Sequence, residues 1–359
     1  MLEGSCLVDA RRDGGIGRYA RQLSQALECA PDVQVTIATP SRPPLSEARP
    51  SRFLHAQPPL LSTTRTVRPH LVHGLGGEPV VGWPAARQVV TVHDVEMWRT
   101  AGPDGLRGAA LRAYAAAVGR MLRRCAAIIA VSEITAAEAA DTLRLEPRRV
   151  HVVPHGVTPE FHDRRRPSDA GVLEAAGLSR GPYLLWVGSL RHHDPRKGLD
   201  ILLDAVAQLP PPVPTVALAG ATGREAERLA SRARDLGIRM VLCGRRGDTD
   251  LAALYRGAAV VTLPSTHEGF GFPVLEAMAC GSPVVATTAG NIPAVAGEAA
   301  ILVQPGDAGA LSDALRSALT GPEPAARLRK LAGSRAESFT WERCAARTAE
   351  VYRQVMAGR

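Results

Sequence analysis

Two glutamates separated by a glycine-rich stretch are the residues of this chain best suited to bind a polyol. Glu268 and Glu276 have seven residues between them. Pro273 and the apolar run after it predict a short helix that starts between the glutamates, holds Glu276 in its first turn and ends at Gly281. A helix start carries partial positive charge, and we expect backbone N–H groups to point outward near Pro273 and Leu275. The pattern predicts that these amides hold a phosphate group while the carboxylates accept hydrogen bonds from sugar and ribose hydroxyls.

A parallel sheet must position these residues, because strands and helices alternate along the whole chain. The turn at residues 14–17 is expected to open a helix that runs to Leu27. Thr135 with Glu138 is a predicted capping box, and Thr340 is the expected N-cap of a last helix that runs to Met356. The expected strands are residues 2–8, 33–38, 71–72, 88–92, 126–131, 150–153, 183–187, 215–219, 239–242, 260–263 and 283–286.

Four predicted strands of the second half are followed by glycine or polar residues. Gly188 and Gly220 follow two of them, and residues 243–245 and 264–271 follow the other two. Ligands of parallel sheets bind beyond the carboxyl ends of the strands, so these loops are the expected binding edge. The polar run at residues 162–168 interrupts the alternation, and we therefore expect the linker between two domains within residues 160–180.

Length and composition fit two domains of ordinary size and exclude several classes of protein. The chain has 359 residues, of which 45% are hydrophobic, and its net charge of +8 is shared about equally by its two halves. Neither half is therefore a basic nucleic-acid-binding module. Six scattered cysteines without a Cys-x-x-Cys pair argue against a disulfide framework and a structural zinc site. The start of the chain lacks a signal-peptide pattern, and no run of about 18 apolar residues is present. We expect a cytoplasmic protein without a metal ion or a nucleic-acid partner.

One stretch of the first half is unusually basic. Residues 105–132 contain five arginines and no acidic residue, with leucine, tyrosine and methionine interleaved. This composition predicts either an amphipathic helix that lies on anionic lipid or an ordinary solvated helix in an arginine-rich protein. The arginines are Arg107, Arg112, Arg120, Arg123 and Arg124.

The segment from Glu268 to Glu276, with residues 277–285 after it, resembles the signature of the retaining nucleotide-sugar glycosyltransferases of family 4. Further segments resemble that family in the expected order: the glycine loop at residues 14–19, the His-Asp strand end at 91–94, and residues 131–132, 154–157 and 195–198. The resemblance thus covers nearly the whole chain. It implies a GT-B fold, which has two facing Rossmann-like domains with parallel sheets and a cleft between them. The implied domains are an acceptor domain at residues 1–170, a nucleotide-sugar domain at 171–338, and a last helix at 339–359 that crosses back to the first domain.

The resemblance also implies roles for individual residues. Lys197 is expected to stabilise the diphosphate leaving group. Because residues 189–194 form a longer loop than is common in the family, its arginine partner is either Arg191 or Arg196. Glu276 is expected to bind the ribose and Glu268 to approach the donor sugar, which His93 faces from the first domain. The other implied donor-binding residues are Gly15, Ile16, Gly188, Gly220, Gly244, Arg245, Gly269, Phe270, Gly271, Phe272, Val274 and Leu275.

The expected reaction is the transfer of a hexose to a saccharide, lipid-linked or small-molecule acceptor, without a cofactor. GDP-mannose is the leading donor and UDP-sugars come second. One alternative is an NADP-dependent oxidoreductase, because residues 15–20 satisfy G-x-G-x-x-A and Arg42 could serve the extra phosphate. A sugar-nucleotide epimerase or a phosphorylase of related architecture, or a noncatalytic sugar-binding protein, are the others.

Overall fold

The computed structural model describes residues 1–8, 14–40, 49–99 and 106–358. Three residues named above, Ser41 and Arg42 of the NADP alternative and Gly105 of the basic stretch, lie outside these ranges, as does the side chain of Arg107. The chain divides into two compact units. The first unit consists of residues 1–156 and 340–359, and the second of residues 157–339.

The described part of the first unit forms a six-stranded parallel sheet in the order β2-β1-β3-β4-β5-β6. Val89 of β4 lies opposite His73 of β3 on one side and Ala127 of β5 on the other. The strands are β1 (Leu2–Glu3), β2 (Ile37–Ala38), β3 (Val72–Gly74), β4 (Gln88–Val92), β5 (Ala127–Ala130) and β6 (Val150–Val152), and the helices are α1 (Gly15–Glu28), α2 (Arg49–Val67), α3 (Glu96–Arg99), α4 (Leu106–Leu122), α5 (Glu133–Leu143) and α14 (Trp341–Ala357).

The second unit is built on another six-stranded parallel sheet, in the order β12-β11-β10-β7-β8-β9 among its described residues. Its strands are β7 (Tyr183–Val187), β8 (Thr215–Ala219), β9 (Met240–Gly244), β10 (Val260–Leu263), β11 (Val284–Thr287) and β12 (Ile301–Val303). Its helices are α6 (Asp169–Ala175), α7 (Leu199–Ala207), α8 (Arg224–Asp235), α9 (Asp248–Gly257), α10 (Phe272–Ala279), α11 (Ile292–Ala296), α12 (Ala308–Thr320) and α13 (Pro322–Ala336).

Apolar runs place the central strands where the sequence predicts them. The bounds predicted for β4, β7, β8 and β10 are those of the structure, and their side chains are almost all buried. A strand covered by helices on both faces reads as a continuous apolar run. These runs therefore fix the middle of both sheets.

The short strands at the edge of the first sheet differ from the prediction. The strand predicted over residues 2–8 is limited to β1 (Leu2–Glu3), because the Glu3 carboxylate accepts the amide of Ser5 at 2.7 Å and a 3-10 turn follows over Ser5–Leu7. The strand predicted over residues 33–38 is limited to β2 (Ile37–Ala38). Both predictions are too long, since apolar residues alone do not determine where sheet pairing stops.

Helix caps follow the sequence in one place and depart from it in another. Thr340 caps α14, and its hydroxyl accepts the amide of Arg343. The capping box predicted for Thr135 and Glu138 is wrong. Ser132 is the N-cap of α5 and its hydroxyl accepts the amide of Thr135 at 3.0 Å, whereas Glu138 pairs with Arg99 at 2.7 Å. The helix starts about one turn earlier than the sequence indicates.

The division between the units falls at Gly156 and Val157, whereas the sequence places the linker within residues 160–180. Residues 157–180 belong to the second unit because Asp169 on α6 forms a buried ion pair with Arg256 on α9, with two bonds of 2.7 Å. The last helix, α14, belongs to the first unit and packs against α1.

The basic helix α4 uses most of its apolar side chains inside the first unit. Val118 and Leu122 belong to a buried core cluster, and Tyr114 packs against it. Leu106, in contrast, is 91% exposed. The helix is therefore a packed element with an arginine-rich outer surface, and it presents no continuous apolar face for insertion into lipid.

Candidate active site

The loops after β7 and β10 meet at the centre of the second sheet. These strands are neighbours, with Leu184 opposite Val260 and Leu185 opposite Val261, although β8 and β9 lie between them in sequence. The strand order of the sheet reverses at this point. In open parallel sheets the crevice at such a reversal, beyond the carboxyl ends of the strands, is where ligands bind.

Lys197 and Glu268 are brought together at this reversal point. The Lys197 ammonium donates to the Glu268 carboxylate at 2.8 Å, and the two side chains are 31% and 15% exposed. The Ser265 hydroxyl donates to the same carboxylate oxygen at 2.9 Å. A cation and a carboxylate from loops 71 residues apart thus share one partly buried position, as the chemistry predicted for them requires.

Backbone contacts hold the two loops against each other. The amide of Thr266 donates to the Arg196 carbonyl at 2.7 Å. Gly198 has φ +64° and lies against the Pro264 carbonyl, at a place where a side chain would collide with it. Glu268 is fixed in turn, because its carbonyl accepts the amide of Asn291 at 3.0 Å. The positions of Lys197 and Glu268 are therefore set by the fold as well as by their own ion pair.

The two candidate arginines differ in their surroundings. Asp194 accepts two bonds from the Arg196 guanidinium, at 2.9 and 2.8 Å, and a third from the Arg196 amide at 3.1 Å. The guanidinium is thereby oriented beside Lys197, and such a pair occupies only part of its donor groups. Arg191 lies at the other end of the loop with an exposed side chain and, among the described residues, forms no ion pair.

Helix α10 starts between the two glutamates, as predicted, with Gly271 as its N-cap at φ +97°. Two details of the prediction are wrong. Because the helix starts at Phe272, Glu276 lies in the second turn and not the first. The amide of Leu275 does not point outward, since it donates to the Gly271 carbonyl at 3.3 Å. The end at Gly281 is confirmed by its φ of +69°.

Glu276 is enclosed, with 2% of its surface exposed. Its Oε2 atom accepts the hydroxyl of Tyr255, a buried residue of α9, at 2.8 Å. A buried carboxylate needs such a partner because an unsatisfied one costs several kcal/mol. Sequence reasoning missed Tyr255, because nothing in the pattern of α9 distinguishes it from an ordinary core tyrosine.

The aromatic residues between the glutamates pack inward. Phe270 is buried, with its ring centroid 5.4 Å from that of Phe272 and 6.1 Å from that of Phe339. The side chains of Val274 and Leu275 are fully buried in α10. These residues, with Gly269 beside them, shape the loop from below, and any contact of Val274 or Leu275 with a ligand has to come from the backbone.

Three predicted glycines end neighbouring strands. The amide of Gly188 donates to the Ala219 carbonyl, and that of Gly220 to the Gly244 carbonyl, both at 2.9 Å. Gly220 has φ +151° and lies directly against the Gly188 carbonyl, so a larger residue cannot take its place. Arg245 follows Gly244 and is exposed. The three strand ends form a continuous edge without side chains, where a flat ligand has room to approach the backbone.

Gly15, Ile16 and His93 belong to the first unit. Gly15 is the first residue of α1 and is exposed, and Ile16 is half-buried beside it. His93 follows β4, and its Nε2–H donates to the Leu75 carbonyl at 2.8 Å, which fixes the ring and its tautomer. The ring also packs edge-on against Tyr19, with 4.9 Å between the centroids.

A buried chain of polar side chains supports this part of the first unit. The hydroxyls of Tyr19 and Thr91 lie 2.7 Å apart, and Thr91 is 2.7 Å from Nε2 of His73. Nδ1 of His73 lies 2.6 Å from the hydroxyl of Tyr352 on α14. The chain joins α1, β3, β4 and α14 through residues that sequence reasoning did not single out. Burial, the amino group of Met1 and His93 lower the pKa of His73 to about 3.

Acidification is expected to destabilise the protein through His73. Its imidazole ionises in the unfolded chain near pH 6.5 but in the folded protein only near pH 3. The unfolded state therefore binds more protons between these values, and the free energy of unfolding falls as the pH is lowered through this range. We expect a loss on the order of 4 kcal/mol, measured by urea unfolding.

The variant His73→Gln lacks the titrating group and should lose less stability between about pH 6.5 and about pH 4 than the unchanged protein. His192→Gln, at an exposed histidine, is the control and should retain the full pH dependence. An equal pH dependence in His73→Gln and the unchanged protein would show that other groups cause the acid loss.

Metal-binding side chains are not clustered in the described part of the chain. No group of three or more histidine, cysteine, aspartate and glutamate side chains there is arranged to hold a metal ion. His193 instead lies beside Glu225, and Asp194 beside Arg196. The six cysteines all fall within the described residues and are free thiols.

Two protein-family models match the chain, one for each half. The model described as glycosyltransferase family 4 matches residues 13–161, and that described as glycosyl transferases group 1 matches residues 181–321. The second match contains the reversal point with Lys197, Glu268 and Glu276. The first contains the glycine loop and His93.

Three curated proteins illustrate the relatives. The O-antigen chain mannosyltransferase B of Escherichia coli is 27% identical and matches 94% of this chain and 96% of its own length. The MMP alpha-(1->4)-mannosyltransferase of Mycolicibacterium hassiacum is 33% identical, over 66% of this chain and 56% of its own length. A D-inositol 3-phosphate glycosyltransferase of Xylanimonas cellulosilytica is 36% identical, over 61% and 55%. The chain thus spans little more than half the length of the last two.

Solved structures match over nearly the whole chain. Sucrose-phosphate synthase from Thermosynechococcus elongatus is 24% identical, with a TM-score of 0.79 over 100% of this chain and 99% of its own. WaaG, a glycosyltransferase involved in lipopolysaccharide biosynthesis, is 20% identical, with a TM-score of 0.78 over 98% and 99%. This likeness confirms the predicted GT-B fold with its two Rossmann-like domains. By the family models for both halves and by its fold, the chain belongs to the family 4 glycosyltransferases.

Proposed function

We propose that the protein is a retaining glycosyltransferase that moves a hexose from a nucleoside diphosphate sugar to a saccharide, lipid-linked or small-molecule acceptor. The contact between Lys197 and Glu268 carries this proposal. It places a cation suited to a diphosphate next to a carboxylate suited to sugar hydroxyls, at the reversal point of a parallel sheet.

Lys197 and Arg196 are proposed to stabilise the leaving diphosphate. Negative charge grows on the nucleoside diphosphate as the sugar departs, so a fixed cation lowers the energy of the transition state more than that of the ground state. Asp194 orients the Arg196 guanidinium beside Lys197. We place Arg191 outside this role, because its carbonyl lies against Gly223 and its side chain is exposed.

Glu276 and the glycine edge are proposed to hold the nucleoside. The Glu276 carboxylate is ordered by Tyr255 and is suited to accept the ribose hydroxyls. Gly188, Gly220 and Gly244 leave backbone exposed to the base, and Arg245 lies at the end of that edge. Ribose hydroxyls are held equally before and during the reaction, so Glu276 is expected to contribute to affinity rather than to turnover.

Mannose from GDP-mannose is the proposed donor group. Support comes from relatives whose names describe mannosyltransferases, although a solved structure of the same fold carries UDP and glucose. Titration calorimetry with GDP and UDP tests the choice of base. Tighter binding of GDP is the expected result, and tighter binding of UDP would replace guanine by uracil in the proposal.

The stereochemical outcome is testable once a donor and an acceptor turn over together. Retention is proposed because the two carboxylates accompany a phosphate-binding loop and do not flank a glycosidic bond in the manner of a double-displacement glycosidase. NMR of the product should show the anomeric configuration of the donor. An inverted product would contradict the retaining mechanism.

The acceptor is proposed to bind the first unit, and a lipid-linked acceptor would bring that unit to a membrane surface. No helix within the described ranges is long and apolar enough to cross a membrane. Arg112, Arg120, Arg123 and Arg124 are exposed on or just after α4. Because the apolar residues of α4 are mostly buried, we propose that any attachment is electrostatic and peripheral.

Anionic vesicles are expected to sediment the protein at low salt and to release it at high salt. Each arginine near a lipid surface contributes about 1 kcal/mol, so Arg120→Gln with Arg124→Gln should weaken binding about 30-fold. Arg224→Gln with Arg234→Gln, exposed positions on α8, is the matched control and should bind like the unchanged protein. Failure of the unchanged protein to sediment would favour a water-soluble acceptor.

A further inference from the structure

The loop between β7 and α7, residues 188–198, is held on two sides, and we call it the donor loop. One side faces β10, where Lys197 meets Glu268. The other side lies against the turn between β8 and α8. There the amide of Leu190 donates to the Ala221 carbonyl at 2.7 Å, and Gly223 leaves room for the Arg191 carbonyl.

The second side also carries a side-chain contact. Nδ1 of His193 lies 3.2 Å from both carboxylate oxygens of Glu225, which follows Gly223 in the first turn of α8. A carboxylate only accepts, so Nδ1–H donates. His193 falls in the part of the donor loop that is longer than the family's common form. This chain therefore has an attachment that a shorter loop would lack.

Glu225 is itself firmly placed. Its carboxyl group is 5% exposed and accepts two bonds from Arg228, at 2.9 and 2.7 Å. The bond from Arg228 and that from His193 hold the pKa of Glu225 below its ordinary value. Arg228 continues to Asp200 on α7, with bonds of 2.9 and 2.8 Å. Glu225 is thus a fixed anion anchored to both helices that flank the donor loop.

We infer that Glu225 is a positioning residue that fixes the donor loop through His193, and so sets the place of Lys197 and Arg196 for the diphosphate. This inference rests on the proposed function. A cation displaced from its productive position by a fraction of the loop's length loses much of its effect on a transferring group. The contact therefore acts on the reaction without touching the substrate.

Hydrogen exchange in the ligand-free protein tests the attachment. His193→Ala should speed the exchange of amides in residues 188–198, whereas His193→Asn keeps an N–H donor near the same place and should largely restore protection. Asp204→Asn breaks an ion pair with Arg232 between the same two helices and serves as the matched control. Unchanged exchange of the donor loop in His193→Ala would overturn the inference.

Inorganic pyrophosphate is the probe for the diphosphate, measured by titration calorimetry. His193→Ala should weaken its binding about 10-fold, the scale of one hydrogen bond to a charged group, while Asp204→Asn leaves it unchanged. Glu225→Gln should have the same effect, and combining it with His193→Ala should add nothing further, because the two residues act through one contact.

His193 is more than half exposed, so His193→Ala keeps the test valid even if Glu225→Gln fails to fold. Unchanged pyrophosphate affinity in His193→Ala would overturn the positioning role. If the unchanged protein bound no pyrophosphate, the proposed function would fail at the diphosphate, while the exchange measurement would still decide whether His193 and Glu225 fix the loop.

Discussion

Replacing Lys197 by alanine is expected to lower turnover about 100- to 1000-fold once a donor is in hand, the usual cost of removing one preorganised charge donor. The affinity for the intact nucleotide sugar should fall much less, because the diphosphate gains its extra charge only as the sugar leaves. Steady-state kinetics combined with calorimetric affinities separate the two effects.

Lys330, the other lysine of the chain, provides the control. It lies exposed on α13 of the same unit, so Lys330→Ala should leave turnover and affinity unchanged. Near-normal turnover of Lys197→Ala would remove the donor loop from the leaving group and make Arg191 or Arg245 the leading candidate.

Replacing Glu268 by glutamine is expected to tighten the binding of a free nucleoside diphosphate and to lower turnover. In the ligand-free protein Glu268 occupies Lys197 at 2.8 Å, so a diphosphate must compete with this carboxylate for the ammonium group. A partly buried ion pair of this kind is worth about 1 kcal/mol, which corresponds to an affinity gain of about 5-fold. Turnover should fall because the sugar loses a charged hydrogen-bond acceptor.

Calorimetry with GDP and UDP measures the first effect, and donor kinetics measure the second. Glu227→Gln, an exposed position on α8, removes one negative charge from the same unit without touching the site. Its affinity for the nucleotide should match that of the unchanged protein. Weaker nucleotide binding by Glu268→Gln would mean that the carboxylate helps to hold the nucleotide and does not compete with it.

Local sequence pattern was enough to predict the central strands and several helix ends. Residues 183–187, 215–219 and 260–263 are apolar throughout, because helices cover both faces of a parallel sheet. Gly281 and Thr340 end and begin helices through their own backbone preference and side chain. These signals act within a few residues of the chain, so they can be read without knowledge of the fold.

Contacts between distant segments were beyond sequence reasoning. Tyr255 reaches Glu276 across 21 residues, and His73 reaches Tyr352 across 279. The resemblance to the family pointed to Lys197 and Glu268, but their direct ion pair depends on the order of β7 and β10 in the sheet. The predicted linker missed the ion pair between Asp169 and Arg256 for the same reason.

The NADP alternative and the proposed function differ in which nucleotide stabilises the folded protein. An oxidoreductase would use the glycine turn of the first unit, and its candidate phosphate partner, Arg42, lies outside the described residues. The proposed function uses the reversal point of the second sheet. A ligand that binds only the folded state raises the free energy of unfolding in proportion to the logarithm of its saturation.

A thermal-unfolding panel of GDP-, UDP-, ADP- and dTDP-sugars with NADP alongside tests the central claim most directly. A ligand at about 100 times its dissociation constant adds about 2.7 kcal/mol of stability, which shifts the melting temperature by several degrees. We expect at least one nucleotide sugar, with GDP-mannose first, to stabilise the protein, and Glu276→Ala to reduce that shift. Stabilisation by NADP alone would contradict the account.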